Sequence, residues 1–336
     1  MEETIWKKKW DIIKTIEKKY ASDVQNDYSS FWHYTSLPVL FNILEGNEFW
    51  ASNVRFSNDS MEEKMLELEN LDLRDDYILC FCEKGDMLSQ WRGYCHNGGA
   101  AIKLHFIFPQ SYSILYSDFD TSGKYIVYEN TPIPVVYLDP KVPAISRKRD
   151  IEKVIKHSGY DADIKAEDIL PYMKNGYFFE EKESRFVFSN INGSLSKCIR
   201  FRTLEDGVKV PYIVIKHGVI GKMKGNSATD VTKFDDAFIA DAINNKLPIW
   251  IEEGTDQEEK YYETIRRIEE YRKRNNEYKT VNVFCKGKLP IEEIVVAPTY
   301  ARERKAEQIK RFCMSKYWLR KVKVRVSEIP YIQPLL

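Results

Sequence analysis

The spacing of hydrophobic and polar residues divides the chain into helical and extended segments. Over residues 3–20, aromatic and aliphatic side chains recur at steps of three and four, at Trp6, Trp10, Ile13, Ile16 and Tyr20. This spacing predicts an amphipathic helix. Because acids are mixed with lysines on its polar face, we expect the apolar face to pack on protein and not on a membrane. Residues 1–30 are interpreted as an N-terminal helix packed on the core.

The next pattern predicts a strand that leads directly into a helix. Residues 31–34 are Phe, Trp, His and Tyr, a composition typical of a strand. The step Thr35-Ser36 then begins a helix, and its apolar face is formed by Leu37, Leu40, Ile43 and Leu44. Gly46 is expected to end that helix.

A β-rich middle follows, in which strands are not regularly alternated with helices. Strands are expected at 49–52, 77–82, 100–108, 125–128, 135–138, 183–188, 199–203, 211–216, 292–297 and 321–326, and helices at 61–71, 148–174 and 301–316. The pattern predicts an α+β fold of mixed or antiparallel sheets flanked by helices. The segment 232–278 is charged and reads as a helical insertion or appendage that could face a partner. The core would then comprise residues 31–231 and 279–336.

The composition and net charge of the chain argue against several classes of protein. The chain has 336 residues, and its 51 lysines and arginines equal its 51 aspartates and glutamates, so no overall charge attracts nucleic acid or an anionic membrane. No apolar run is long enough to span a bilayer, and no secretory signal is recognisable. The glycine-rich motifs of Rossmann and P-loop proteins are missing from the sequence.

The cysteines indicate a reduced, cytoplasmic protein. The close pair Cys80 and Cys82 alternates along an expected strand, and no second pair completes a zinc site, so no metal is expected.

The run Glu181-Lys182-Glu183-Ser184-Arg185 leads into an expected strand. In an extended chain Glu181, Glu183 and Arg185 share one face, where the carboxylates raise each other's pKa and the arginine lowers it. One interpretation is a solvated ladder of charges; the other is a pair of catalytic carboxylates.

A second polar and aromatic cluster spans residues 89–100. Trp91 and Tyr94 offer aromatic faces for stacking on a nicotinamide or a base, and Arg92 could bind a pyrophosphate in bidentate fashion. The alternative is a core tryptophan and tyrosine that anchor a loop.

Taken together, these motifs resemble the bacterial family catalogued as domain of unknown function 2971. The resemblance rests on H-Y-T-S-L at 33–37, F-W-A-S at 49–52, F-S-N-D at 56–59, E-K-E-x-R at 181–185, I-V-V-A-P at 294–298 and S-E-I-P-Y at 327–331. It covers roughly residues 31–190 and 290–331. The strand with His33, followed by a helix, also resembles the first NAD-binding motif of ADP-ribosyltransferases of the poly(ADP-ribose) polymerase and DNA-modifying types.

The resemblance implies an ADP-ribosyltransferase-like core that uses NAD, in a setting such as a toxin or anti-phage defence. It implies that Glu183, Glu181 and His33 are catalytic. The residues implied to bind NAD are His33, Tyr34, Thr35, Ser52, Asn58, Trp91, Arg92, Tyr94 and Arg185. The acceptor is left open between nucleic acid, protein, a small molecule and water. Tyr34 departs from the glycine of polymerase-type transferases.

Two other classes of function stay open. The fold could be a non-catalytic sensor that binds a nucleotide or a partner protein, or a metal-dependent nuclease that brings His33, Asp59, Glu181 and Glu183 together. The transferase interpretation predicts that His33, Tyr34, Trp91 and Glu183 converge on one cleft.

Overall fold

A computed structural model of the chain describes residues 5–20, 30–56, 75–95, 98–104, 113–118, 125–129, 132–138, 144–189, 195–203, 207–219, 240, 249–251, 257–276, 283–286 and 288–330. The helices are α1 Ile5–Tyr20, α2 Leu37–Gly46, α3 Leu88–Tyr94, α4 Ala144–Ser158, α5 Gln257–Asn275 and α6 Arg302–Ser315. The strands are β1 Phe31–Ser36, β2 Glu48–Asn53, β3 Asp76–Cys82, β4 Gly99–Leu104, β5 Ser113–Asp118, β6 Tyr125–Glu129, β7 Ile133–Pro134, β8 Val136–Leu138, β9 Met173–Asn175, β10 Glu183–Ser189, β11 Arg200–Thr203, β12 Lys209–Val219, β13 Ile249–Ile251, β14 Val283–Lys286, β15 Ile291–Val296 and β16 Lys323–Val326.

The chain divides into two compact units, and the division falls within β12. The first unit comprises Met1–Phe106, Thr131–Ile213 and Pro290–Leu336, and the second comprises Ile107–Asn130 and Val214–Leu289. In the second unit, β5 pairs antiparallel with β6 and with the end of β12, and β13 pairs parallel with β14.

The first unit is an α+β structure whose sheet is mixed and mainly antiparallel. Its strands follow the order β12-β2-β3-β1-β4-β15-β16. From β2 to β15 the neighbours are antiparallel, and β15 and β16 are parallel. A separate parallel pair is formed by β8 and β9. The α+β class predicted from the sequence is therefore correct.

Strand β3 is the branch point of this sheet. Along one edge it pairs with β10 over its full length, from Asp76 opposite Ser189 to Cys82 opposite Glu183. The other edge is shared, because β1 pairs at Cys82 whereas β2 pairs at Ile78 and Tyr77. Residues 79–81 therefore face a gap where β1 and β2 separate.

Helix α1 packs on the first unit through one apolar stripe. Ile12, Ile13 and Ile16 are buried in a cluster with residues of β8, α4 and the segment before β9. Trp10 is half-buried against the same cluster. The helix thus contributes to the hydrophobic layer that supports β9 and the adjoining end of β10.

Three details differ from the sequence predictions. The left-handed position that ends α2 is Asn47, with φ 53°, and Gly46 is still helical. Residues 148–174 are helical only as far as Ser158, after which 3₁₀ turns lead into β9. The segment 232–278 contains β13 as well as the charged helix α5. The helix predicted at 61–71 lies outside the described residues.

No helix in the described part of the chain is long and apolar enough to cross a membrane.

Truncating the buried stripe of α1 should destabilise the first unit. We expect Ile13→Ala to lower the free energy of unfolding by about 2–5 kcal/mol, because it leaves a cavity in a packed core. Ile5→Ala is the matched control, since Ile5 lies on the same helix but is 57% exposed, and it should change stability by less than about 0.5 kcal/mol. Urea unfolding followed by circular dichroism measures both, and equal effects would show that α1 does not dock through this stripe.

Candidate functional site

A cavity of about 400 Å³ lies in the first unit where β1 and β2 separate from β3. Its volume falls within the range of small-molecule binding sites. The polar and aromatic residues that line it include Trp32, His33, Tyr34, Thr35, Trp50, Ser52, Asn53, Phe56, Cys80, Gln90, Tyr94, Lys174, Glu181, Glu183, Arg185 and Arg202. His33 of β1 and Glu183 at the start of β10 therefore line the same cavity.

His33 occupies the gap along β3. Its Nδ1 lies 3.0 Å from the carbonyl oxygen of Cys80, so Nδ1 carries the proton and donates it to that carbonyl. The ring meets Phe49 edge-on at 5.1 Å and is also close to Phe81. Burial lowers the pKa of His33 to about 4, so the ring is neutral at neutral pH and Nε2 is left as a hydrogen-bond acceptor.

Strand alternation gives His33 and Glu183 different sides of the sheet. Trp32 pairs with Cys82, which in turn pairs with Glu183, so these three side chains share a face. His33 is turned to the other face, towards Phe49. Both residues nevertheless line the same cavity.

A buried cluster of charges forms one wall of the cavity. Arg185 grips Glu183 with two hydrogen bonds, from Nε to Oε1 at 2.6 Å and from Nη2 to Oε2 at 3.0 Å. Lys174 reaches both glutamates, with its Nζ 3.0 Å from Glu183 Oε2 and 2.5 Å from Glu181 Oε2. Arg185 Nη1 also donates to the carbonyl of Pro171 at 2.8 Å.

The pKa values of the two glutamates in this cluster are shifted in opposite directions. Burial alone would raise the pKa of Glu183, but Arg185 and Lys174 outweigh it and hold that pKa well below its usual range. Burial raises the pKa of Glu181, and the neighbouring charge of Glu183 adds to the rise despite the opposing effect of Lys174. Burial would lower the pKa of Lys174, but Glu183 and Glu181 raise it well above its usual range.

Glu181 and Glu183 are not successive outward residues of one strand, as the sequence had suggested. Residues Gly176–Glu181 form a 3₁₀ helix, and Lys182 then adopts the left-handed conformation with φ 42° before β10 begins. The turn brings Glu181 close enough to share Lys174 with Glu183. A second correction concerns the solvated ladder of charges, because Glu183 and Arg185 are only 3% and 1% exposed.

The second aromatic cluster is mainly a support for the cavity wall. The hydroxyl of Tyr34 donates to the carbonyl of Lys84 and accepts from the backbone N–H of Met87. Trp91 packs edge-on against Tyr34 at 4.8 Å, and its Nε1 donates to Asp86 at 2.8 Å. Both polar groups are thus engaged within the protein.

The residues predicted to bind a cofactor therefore separate into three groups. Those that line the cavity are His33, Tyr34, Thr35, Ser52, Tyr94 and Arg185. Trp91 and Arg92 are not among its lining residues, since Trp91 is fully buried behind Tyr34 and Arg92 is exposed. Asn58 lies outside the described residues. The sequence predicted the convergence of His33, Tyr34 and Glu183 correctly but placed Trp91 in the wrong layer.

The sequence reasoning missed several lining residues, and three of them bear directly on the chemistry of the site. Lys174 sits in β9, and no spacing relates it to the E-K-E motif before the fold is known. Arg202 lies on β11, in a short strand whose charges look like an exposed edge. Trp50 was visible in the F-W-A-S motif, where its position two residues before Ser52 signals the same strand face.

Among the described residues, no three histidine, cysteine, aspartate or glutamate side chains are grouped as metal ligands would be. Asp59 of the nuclease hypothesis lies outside the described residues.

Compared with known proteins, the chain matches no family model, no curated protein and no solved structure. The resemblance found in the motifs stays a prediction.

The environment of His33 predicts a dependence of stability on pH. Because burial lowers its pKa from 6.5 to about 4, the unfolded chain binds a proton between these values that the folded chain does not. The free energy of unfolding should therefore fall by about 2 kcal/mol as the pH is lowered from 7.5 to 5.

His33→Asn should remove that part of the loss, because the Asn amide can still donate to Cys80 but does not titrate. Urea unfolding of both proteins at pH 7.5, 6 and 5 measures it, with the pH 7.5 values as the control for folding. Parallel losses in the two proteins would exclude a buried neutral His33.

Proposed function

We propose that this chain is an NAD-dependent ADP-ribosyltransferase-like enzyme. The observation that supports the proposal most is that His33 and Thr35 of β1 line the same cavity as Glu181 and Glu183. These are the positions at which the motif resemblance expects the NAD-binding histidine and the catalytic glutamates.

The character of the cavity suits the nicotinamide end of NAD. Trp32, Trp50 and Tyr94 provide aromatic surface, and a positively charged nicotinamide gains from such rings. The neutral His33 offers Nε2 as an acceptor for a ribose hydroxyl or an amide N–H. We assign His33 and Thr35 to orienting the substrate in the gap beside β3.

Glu183 supplies the fixed negative charge that the reaction needs. Breaking the bond between the nicotinamide nitrogen and ribose C1′ leaves the electron pair on nicotinamide and builds positive charge on the ribose, as in glycoside hydrolysis. Arg185 and Lys174 hold Glu183 ionised and immobile, so little reorganisation is required as that charge develops.

Glu181 is suited to the acceptor. Its raised pKa brings it towards the range in which a carboxylate takes up a proton readily, and its side chain is less buried than that of Glu183. As the acceptor oxygen or nitrogen bonds to C1′, its proton passes to Glu181. The acceptor would be a nucleic acid, a protein or another nucleophile, and the charged α5 in the segment 232–278 is the surface we assign to a protein partner. The motif resemblance supports a role in antiviral defence or as a toxin.

One observation favours a second candidate, a non-catalytic protein that binds a nucleotide or a partner. Both oxygens of the Glu183 carboxylate are already bonded to Arg185, and one is also bonded to Lys174. A cluster whose carboxylate oxygens are already hydrogen-bonded in this way could shape a binding site without taking part in any reaction. Binding of NAD without turnover would identify this case.

Glu183→Gln should abolish turnover of NAD. The carboxylate acts mainly in the transition state, so we expect a loss of about a hundredfold or more in turnover with NAD affinity nearly unchanged. Glu181→Gln should reduce transfer to an acceptor more than hydrolysis of NAD. Glu180→Gln is the matched control, since Glu180 precedes Glu181 in the chain but is exposed and does not line the cavity. Chromatography of released nicotinamide and free ADP-ribose measures total turnover and the share that is hydrolysis, and calorimetry with NAD measures affinity.

A second variant is needed because Glu183 is buried. In Glu183→Gln the cations Arg185 and Lys174 lack one negative charge, and breaking a buried ion pair commonly lowers the free energy of unfolding by about 3–5 kcal/mol. In Lys174→Met/Glu183→Gln the charges balance again, so it should melt closer to the wild type than Glu183→Gln does. If the double variant is folded and turns over NAD at the wild-type rate, Glu183 has no catalytic role.

A further inference from the structure

The charges that line the cavity do not balance within it. Lys174, Glu181, Glu183 and Arg185 pair with one another in the cluster already described. Arg202 is the other charged lining residue, and no carboxylate pairs with it in the described part of the chain. Its guanidinium is a cation without a counter-ion there.

Arg202 is also incompletely hydrogen-bonded. Its Nη2 donates to Ser52 Oγ at 3.0 Å, whereas its buried Nε has no hydrogen-bond partner among the described residues. A buried donor left without a partner costs about 1–3 kcal/mol, and more when it is charged.

The side chain is held in place from two directions. Arg202 lies on β11 opposite Val210 of β12, and Val210 also lines the cavity. Ser52 lies on β2, and its hydroxyl accepts from Arg202 and so keeps its own proton to donate. Burial lowers the pKa of Arg202, and the charge of Arg202 adds to the larger effect of burial in lowering the pKa of His33.

We propose that Arg202 and Ser52 form an anion subsite that binds a phosphate group of the ligand. The guanidinium presents its terminal nitrogens to the phosphate oxygens, and its planar array of donors suits such paired contacts. The Ser52 hydroxyl donates to the same group. The cavity lining therefore contains two chemically distinct groups, the carboxylate cluster and this subsite.

This subsite adds a detail to the proposed function, because NAD carries a pyrophosphate. It rests on the proposed function only in naming NAD as the ligand. It also replaces Arg92, which is exposed and does not line the cavity, as the residue for the pyrophosphate. A phosphate held by Arg202 would fix how deeply the remainder of the ligand reaches towards Glu183.

Calorimetric titration with inorganic pyrophosphate tests the subsite without any turnover of NAD. We expect the wild-type protein to bind pyrophosphate at low ionic strength and Arg202→Gln to bind at least tenfold more weakly. Arg202→Lys should bind with intermediate affinity, because it keeps the charge but loses the fork. Arg200→Gln is the matched control, since it removes a charge from the same strand where the side chain is exposed, and it should bind as the wild type does.

The outcomes separate the subsite from the proposed function. If the wild-type protein does not bind pyrophosphate, or if Arg200→Gln weakens binding as much as Arg202→Gln does, the subsite is wrong whatever happens to NAD. If pyrophosphate binds through Arg202 but NAD is neither bound nor consumed, the subsite stands and the transferase proposal fails. Should Arg202→Gln not fold, Ser52→Ala takes its place and should weaken pyrophosphate binding severalfold, and wild-type affinity would then overturn the subsite.

Discussion

The bidentate ion pair between Arg185 and Glu183 is the interaction on which the site depends. Both side chains are almost fully buried, at 1% and 3% exposure, and the third member, Lys174, comes from another strand. Desolvating three charges is expensive, and a buried pair of this type rarely adds net stability over an apolar replacement. The pair lies at the wall of a cavity and not in the hydrophobic layer behind it, and this placement is the reason that our proposal assigns it to binding or chemistry.

The cavity itself follows from a defect in strand pairing. Strand β3 cannot pair with β1 and β2 along the same stretch, so the carbonyl of Cys80 faces the gap without a strand partner in either. A buried carbonyl needs a donor, and the ring of His33 supplies it. One hydrogen bond thus satisfies the backbone, fixes the tautomer of His33 and directs its other nitrogen away from β3. The structural role of His33 and its proposed binding role are two consequences of the same contact.

Local patterns predicted most of the elements, because α1, α2, β1, β3 and α6 each carry their own periodicity and boundaries. The alternation that predicted β10 also paired Glu183 with Arg185 correctly. It failed at Glu181, since nothing in the letters E-K-E reveals that Lys182 takes a left-handed turn. Arg202 could not be found, because its contact with Ser52 joins strands that are distant in sequence. Lys174 lies close to the E-K-E motif in sequence, but its role depends on the turn that brings β9 beside Glu181 and Glu183. Trp91 was misplaced because stacking on a ligand and packing behind Tyr34 demand the same kind of side chain.

The opposite pKa shifts of the two glutamates define how the site would respond to a proton. With Glu181 ionised, its charge and that of Glu183 balance Lys174 and Arg185; with Glu181 protonated, the cluster carries one positive charge. Glu183 stays ionised in both states, because its two cationic partners hold its pKa low. Environments that shift the pKa values of two carboxyl groups in opposite directions allow one to act as an acid or base while the other stays ionised. The protonation of Glu181 therefore sets the charge of this cluster, while Arg202 contributes a separate positive charge to the lining of the same cavity.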